Sequence, residues 1–142
     1  MKNQVFVDTS VWISLVAAKD PHHDKVVAAW REMLDRGLLP LTTSDVISET
    51  ITFLKHKAGH QTAVAFRQTI AQSVTDGRLT LVWVDEDLFG RAWEIFLKYA
   101  DQDLSMTDCT SIALCRRGGI GMVLTLDRHF RMAGMAVIPE KV

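Results

Sequence analysis

Two continuous apolar runs in this chain end abruptly in an aspartate, and no other feature restricts the fold as much. Val5-Phe6-Val7 leads into Asp8-Thr9-Ser10, and Met122-Val123-Leu124-Thr125-Leu126 leads into Asp127-Arg128-His129-Phe130. An apolar run without polar alternation reads as a strand buried on both faces, the kind found in parallel sheets covered by helices. Ligands of open parallel sheets lie in the crevice beyond the carboxyl ends of the strands. Both acids are therefore expected at the sheet edge where chemistry is usually done.

The segments between these runs have helical spacing. Thr9 or Ser10 can cap a short helix through Ala18, and Asp20-Pro21 reads as an N-cap with proline at the first position of a helix to Arg36, stopped by Gly37. Leu38 to Thr42 is a strand candidate. Ser44 can cap a helix ending near Gly59 that turns Val46, Ile47, Thr50, Phe53 and Leu54 inward. A helix from Gln61 to Thr75 sends Val64, Ile70 and Val74 to the core. Leu79 to Val84 is strand-like, and Asp85 can cap a helix reaching Ala100 with Leu88, Ala92, Ile95, Phe96 and Tyr99 at helical spacing. Ser105 opens a further helix closed by Gly118-Gly119; a turn of helix and a strand at Met135 to Ile138 follow the second apolar run. This alternation predicts an α/β fold with a mainly parallel central sheet and helices on both faces.

At 142 residues the chain is expected to be one domain, 1–142, with a sizeable core. Net charge is −1, from 16 basic and 17 acidic residues, so any footprint for nucleic acid must be local. Cys109 and Cys115 point to different sides of one predicted helix and cannot easily pair, which suits a reducing, cytoplasmic compartment. No apolar run approaches the ~20 residues needed to span a bilayer, so no membrane is expected.

Four acids stand out, each with an ordinary structural role beside a chemical one. Asp8 can cap the next helix, although Thr9 and Ser10 make it redundant there. Glu49, three residues after Val46 and four before Phe53, falls at the edge of a buried stripe. Asp108 completes a Ser-x-x-Asp capping box with Ser105, yet a carboxylate in a first helical turn is also placed to stay ionised and hold a cation. Asp127 is a cap or turn residue by default. Converging carboxylates repel and raise each other's pKa, and a hard divalent cation is the usual compensation. Mg²⁺ takes one or two protein carboxylates and keeps waters, which suits phosphate-ester chemistry. His56 and His60 lack the partners of a zinc site and read as surface residues.

With these residues in place, the chain resembles a PIN-domain nuclease of the small VapC toxin type. The resemblance rests on Val7-Asp8-Thr9-Ser10-Val11-Trp12, the segment Ser44 to Glu49, Leu104-Ser105-Met106-Thr107-Asp108, and Leu124 to Phe130, in family order. It implies a three-layer α/β/α PIN-like fold and a metal-dependent endoribonuclease with an acidic pocket of Asp8, Glu49, Asp108 and Asp127. Asp8 and Asp108 match the firmest Mg²⁺ ligands, with Mn²⁺ an alternative; Thr9 or Ser10 and Thr107 would support the site by hydrogen bonding. Cys109 stands where the family usually has alanine, and Asp103 lies just outside the set. The resemblance also implies a homodimer and a VapB-type antitoxin partner. Cleavage of an RNA phosphodiester by water would leave a 3′-hydroxyl and a 5′-phosphate.

An RNA substrate needs a cationic rim, for which Lys55, Lys57, Arg67, Arg116, Arg117, Arg128 and Arg131 are candidates. Trp12 is expected in the core rather than as a base-stacking platform. Two other readings remain open from sequence. One is a haloacid-dehalogenase-like phosphatase with Asp8 as nucleophile, although Ser10 stands where a second acid is usual. The other is a non-catalytic module that has kept the fold.

Overall fold

The computed structural model describes residues 3–139. Its strands are β1 (Gln4–Val7), β2 (Leu39–Thr43), β3 (Thr80–Val82), β4 (Met122–Leu124) and β5 (Ala136–Ile138). The helices are α1 (Thr9–Val16), α2 (His23–Asp35), α3 (Ser44–Ala58), α4 (His60–Thr75), α5 (Glu86–Lys98), α6 (Met106–Gly118) and α7 (His129–Met132). All four strand pairings are parallel, in the order β3-β2-β1-β4-β5. The expected α/β architecture, a parallel sheet flanked by helices, is the one observed.

Strand order explains the apolar runs. β1 is central, and Val5, Phe6 and Val7 are completely buried. The chain steps outward from β1 to β2 and β3, then returns to lay β4 on the other side of β1. Right-handed crossovers place the helices of the outward path on one face and those of the return path on the other. The reversal creates a topological switch between β1 and β4, the position at which open α/β sheets leave a crevice. Asp8 and Asp127 follow the two strands that flank it.

Several local expectations shift for identifiable reasons. The cap of α3 is Thr43, whose Oγ1 accepts from the Val46 N–H at 3.2 Å; Ser44 Oγ accepts instead from the Val84 N–H at 2.9 Å, tying the exit of β3 to α3. Asp20 does not cap α2: its Oδ1 accepts from the His22 N–H and the Ser14 hydroxyl, closing a turn before the helix begins at His23. Phe53 and Val74, expected inward, are 42% and 38% exposed, while Ala63 and Phe66 supply the buried face of α4; Phe96, at helical spacing on α5, is 41% exposed. Gly37 does stop α2 by adopting φ +73, and Gly119 ends α6 in the left-handed region. Trp12 is core, packed on Trp30 and Phe66 at ring separations of 5.4 and 6.0 Å. Cys109 and Cys115 are both free and buried. Among the described residues no helix is long and apolar enough to cross a membrane.

Candidate active site

β1 delivers Asp8 to the switch. Its N–H donates to the Leu124 carbonyl at 3.0 Å, extending the ladder to β4, and its carbonyl accepts from Val11 and Trp12 at the start of α1. Asp8 thus occupies the N-cap position, but its side chain makes no capping bond. Thr9 and Ser10 do not cap either. Ser10 Oγ accepts from the Leu126 N–H at 3.0 Å, across the switch, and the buried Thr9 hydroxyl has no hydrogen-bond partner among the described residues.

The Asp8 carboxylate is held by a residue that sequence reading left unassigned. Thr125, completely buried, donates its hydroxyl proton to Asp8 Oδ2 at 2.8 Å and accepts from the Asp127 N–H at 2.9 Å. Ser10 Oγ lies 3.5 Å from the same Asp8 oxygen. A single hydroxyl therefore locks the ends of β1 and β4 together and fixes the orientation of one carboxylate. A threonine between two leucines reads as an ordinary β-branched strand residue; only its place two before Asp127 marks it.

Asp127 and Asp108 fill their structural roles without being used up by them. Asp127 Oδ1 accepts from the His129 N–H at 2.9 Å and lies 2.7 Å from His129 Nδ1, shaping the turn into α7. Asp108 completes the capping box: its Oδ2 accepts from the Ser105 N–H, and its N–H donates to Ser105 Oγ, both at 3.0 Å. An ionised carboxylate has about four lone-pair sites, so a single cap bond leaves most of its capacity free. Glu49 is exposed on α3 rather than tucked at a stripe edge, and it faces an open groove of about 870 Å³. Asp45, Thr52, Phe53, His56, Lys57 and Thr107 share that groove with it.

Asp45 was not singled out from sequence. Its Oδ2 lies 3.2 Å from the buried Thr110 hydroxyl, which also reaches the Met106 and Thr107 carbonyls at 2.8 and 3.0 Å. This contact joins α3 to α6 and so sets Glu49 relative to Asp108. Thr107 contributes its carbonyl, which also accepts from Ser111 Oγ at 2.9 Å. Asp103 is exposed. Of the candidate cations, Lys57 lines the groove, whereas Arg117 pairs with Asp87 at 3.5 Å and Arg116 donates to the Tyr99 hydroxyl at 3.4 Å.

The four acids form one electrostatic system. Burial pushes Asp8 from an ordinary 3.8 up to about 7, and the charge of Asp108 adds to it; the Thr125 hydroxyl and the Thr9 N–H oppose the shift, and Asp127 raises it further. Burial also raises Asp108, with Asp127 and Glu49 pushing the same way against the hydrogen bonds from Ser105. The side chains that hydrogen-bond the Asp8 carboxylate are the neutral hydroxyls of Thr125 and Ser10. A divalent cation would offset the burial and mutual repulsion that raise Asp8 and Asp108. The site's donors are all oxygens, the set preferred by hard divalent ions. Among the described residues no group of three or more His, Cys, Asp or Glu is arranged to hold a metal ion unaided. Two carboxylates completed by water are what Mg²⁺ asks of a protein, so the residues fit that group.

Comparison with known proteins agrees with this chemistry. The PIN domain family matches residues 5–134. The chain is 31% identical over 137 residues to the 23S rRNA-specific endonuclease VapC20 of Mycobacterium tuberculosis, covering 96% of this chain and 99% of the relative. The crystal structure of that protein, described as a sarcin-ricin loop cleaving toxin, superposes with a TM-score of 0.83 at 32% identity, covering 93% of this chain and 96% of that one. Two more distant structures share the fold. One is VapBC2 from Rickettsia felis bound to promoter DNA, with a TM-score of 0.67 at 11% identity over 94% of this chain and 96% of that one. The other is a toxin–antitoxin complex from Klebsiella pneumoniae, with a TM-score of 0.65 at 16% identity over 97% and 99%. PIN-domain nucleases of this kind depend on a metal ion. The chain belongs to the PIN-domain family, as a VapC-type ribonuclease toxin of a toxin–antitoxin system.

Proposed function

We propose that Asp8, Glu49, Asp108 and Asp127 are the catalytic acids of this ribonuclease, that Asp8 and Asp108 hold Mg²⁺, and that the whole chain works as a single PIN domain. The observation that carries this reading is an Asp8 at the β1/β4 switch, raised first by burial and then by neighbouring acids, and held by a neutral hydroxyl. When bound, the cation supplies Lewis-acid polarisation of a phosphoryl oxygen and a more acidic water. The chain's own residues do the rest. Thr125 and Ser10 fix Asp8, the Ser105 cap fixes Asp108, and Glu49 takes a proton from the attacking water in the open groove. Water adds to phosphorus as the bond to O3′ breaks, leaving a 3′-hydroxyl and a 5′-phosphate. Asp127, engaged with His129, acts through water and by its charge.

RNA is the substrate, and 23S ribosomal RNA is the first target to test, because the 31% identical relative is named for that specificity. The site of action is then the cytoplasm, consistent with two free cysteines. A homodimer and a VapB-type antitoxin are the protein partners. Toxin–antitoxin complexes among the structural neighbours support the antitoxin. Exposed Phe89, Trp93, Phe96 and Leu97, recurring along one side of α5, offer the apolar contact surface that partners require. The phosphatase reading is not favoured: Ser10, where a second acid is usual, binds the Leu126 N–H instead.

The test is cleavage of total ribosomal RNA with end mapping, in Mg²⁺, in Mn²⁺ and in EDTA, for the wild type and Asp8→Asn. Cleavage should require the metal and Asp8. Undiminished cleavage by Asp8→Asn would overturn the assignment. Light scattering of the purified chain tests the dimer.

A further inference from the structure

Beyond Glu49, the outward face of α3 carries groups that the acidic chemistry does not use. Glu49, Thr52, Phe53, His56 and Lys57 recur at helical spacing and line one open groove with Thr107, the neighbour of Asp108. Phe53 is 42% exposed there, although helical periodicity alone would turn it inward. The Lys57 ammonium lies 5.7 Å from the centroid of its ring. Along the groove the charge changes sign, from Asp45 and Glu49 at one end to Lys57, with His56 beside it, at the other. From Glu49 to Lys57 is eight residues, about 12 Å of helix.

An aromatic face paired with a cation is the combination that single-stranded nucleic acid selects: the ring stacks a base, and the cation meets its phosphate. We infer that Phe53, Lys57 and His56 form a nucleotide subsite, in which an unpaired base beside the scissile phosphate stacks on Phe53 while Lys57 and His56 hold its backbone. This inference rests on the ribonuclease reading above and adds to it. It makes the groove select looped or single-stranded RNA, because a base inside a duplex cannot reach the ring. Asp45 and Glu49 at the near end adjoin, through Thr107, the acids proposed to hold the metal; Lys57 at the far end offsets their repulsion of the incoming strand.

Binding is measured in the Asp8→Asn background, so that the RNA stays intact, with a fluorescent single-stranded oligoribonucleotide followed by anisotropy. Phe53→Leu, which keeps apolar bulk without a stacking face, should weaken binding about tenfold, and Phe53→Tyr should restore it. Lys57→Ala should lower the slope of log K against log salt by about 0.7. An oligonucleotide carrying 5-iodouridine should cross-link to the α3 peptide containing Phe53. Since Phe53 is 42% exposed and leucine keeps its apolar bulk, circular dichroism and thermal melting should show these variants folded. Affinity for RNA unchanged by Phe53→Leu, or cross-links confined to other elements, would overturn the subsite. So would a Phe53→Leu protein that binds RNA normally but loses a protein inhibitor, which would give the groove to the antitoxin. Cleavage retained by Asp8→Asn would instead fail the nuclease assignment itself, so the two failures are distinguishable.

Discussion

Asp8→Asn should stabilise the metal-free protein, and the gain should grow with pH. In the folded chain the Asp8 carboxyl titrates at about 7, against an ordinary 3.8. Between those values the folded state holds a proton that the unfolded state has released, so stability falls as pH rises from about 4 through about 7. At about 1.36 kcal/mol per pKa unit, the full shift corresponds to roughly 4 kcal/mol lost by pH 8. Asparagine avoids that loss: its Oδ1 can still accept from Thr125, but its NH₂ must face the Thr9 N–H or Ser10, at a cost of about 1 kcal/mol. This second cost does not depend on pH. Comparing pH 5 with pH 8 therefore isolates the titration, and the advantage of asparagine should grow by about 2–3 kcal/mol over that interval. The assay is urea denaturation of both proteins in EDTA at the two pH values. Saturating Mg²⁺ should then close most of the gap at pH 8, since a ligand at a hundredfold excess over its Kd adds about 2.7 kcal/mol to the wild type only. A stability difference that stays constant from pH 5 to pH 8 would refute the claim that Asp8 is a strained, cation-seeking carboxylate.

Thr125→Val keeps the shape of a β-branched residue but removes both the donor to Asp8 and the acceptor for the Asp127 N–H. Loss of a hydrogen bond to a charged group should cost about 1.5–3 kcal/mol in stability by denaturation, and RNA cleavage should drop while Thr125→Ser retains it. Burial pushes the Cys115 thiol up to about 12, and burial with the nearby Asp108 charge raises Cys109 as well. Neither thiol should react with Ellman's reagent at pH 8 until denaturant is added; rapid reaction of the native protein would contradict the packing of α6.

The order of elements was legible because the signals are physical necessities. A strand in the middle of a parallel sheet must be apolar on both faces, and Val5-Phe6-Val7 is. What failed was finer. Periodicity identifies a stripe on a helix but not which edge of it a neighbour covers, so it points Phe53 and Val74 inward and does not mark Ala63 and Phe66, which are the buried ones. Adjacent hydroxyl residues cannot be ranked as caps from sequence, which is why Thr43 took the role expected of Ser44. In the site, ionisable residues announce themselves; their supports do not. Thr125 and Asp45 act across the fold, on Asp8 from the β4 side and on Thr110 from α3, and such long-range contacts leave no local pattern.

At Asp108 capping and metal binding are compatible in one arrangement. The capping box engages Oδ2 with the Ser105 N–H and so aims the carboxyl at the switch, while its charge remains coupled to Asp127 and Glu49. Two substitutions separate the roles. Asp108→Asn keeps an oxygen that can accept from the Ser105 N–H but removes the charge; Ser105→Ala keeps the charge but removes the hydroxyl acceptor for the Asp108 N–H. If Asp108 is only a cap, Asp108→Asn should be nearly silent in every assay, and Ser105→Ala should cost about 1 kcal/mol of stability. If it also holds the cation, Asp108→Asn should leave metal-free melting equal to or above the wild type while calorimetric Mg²⁺ binding and RNA cleavage are lost. Ser105→Ala should then lower both stability and metal affinity, because the carboxyl keeps its charge but loses part of its aim. Normal Mg²⁺ binding by Asp108→Asn would return Asp108 to the cap alone and leave Asp8 without its partner ligand.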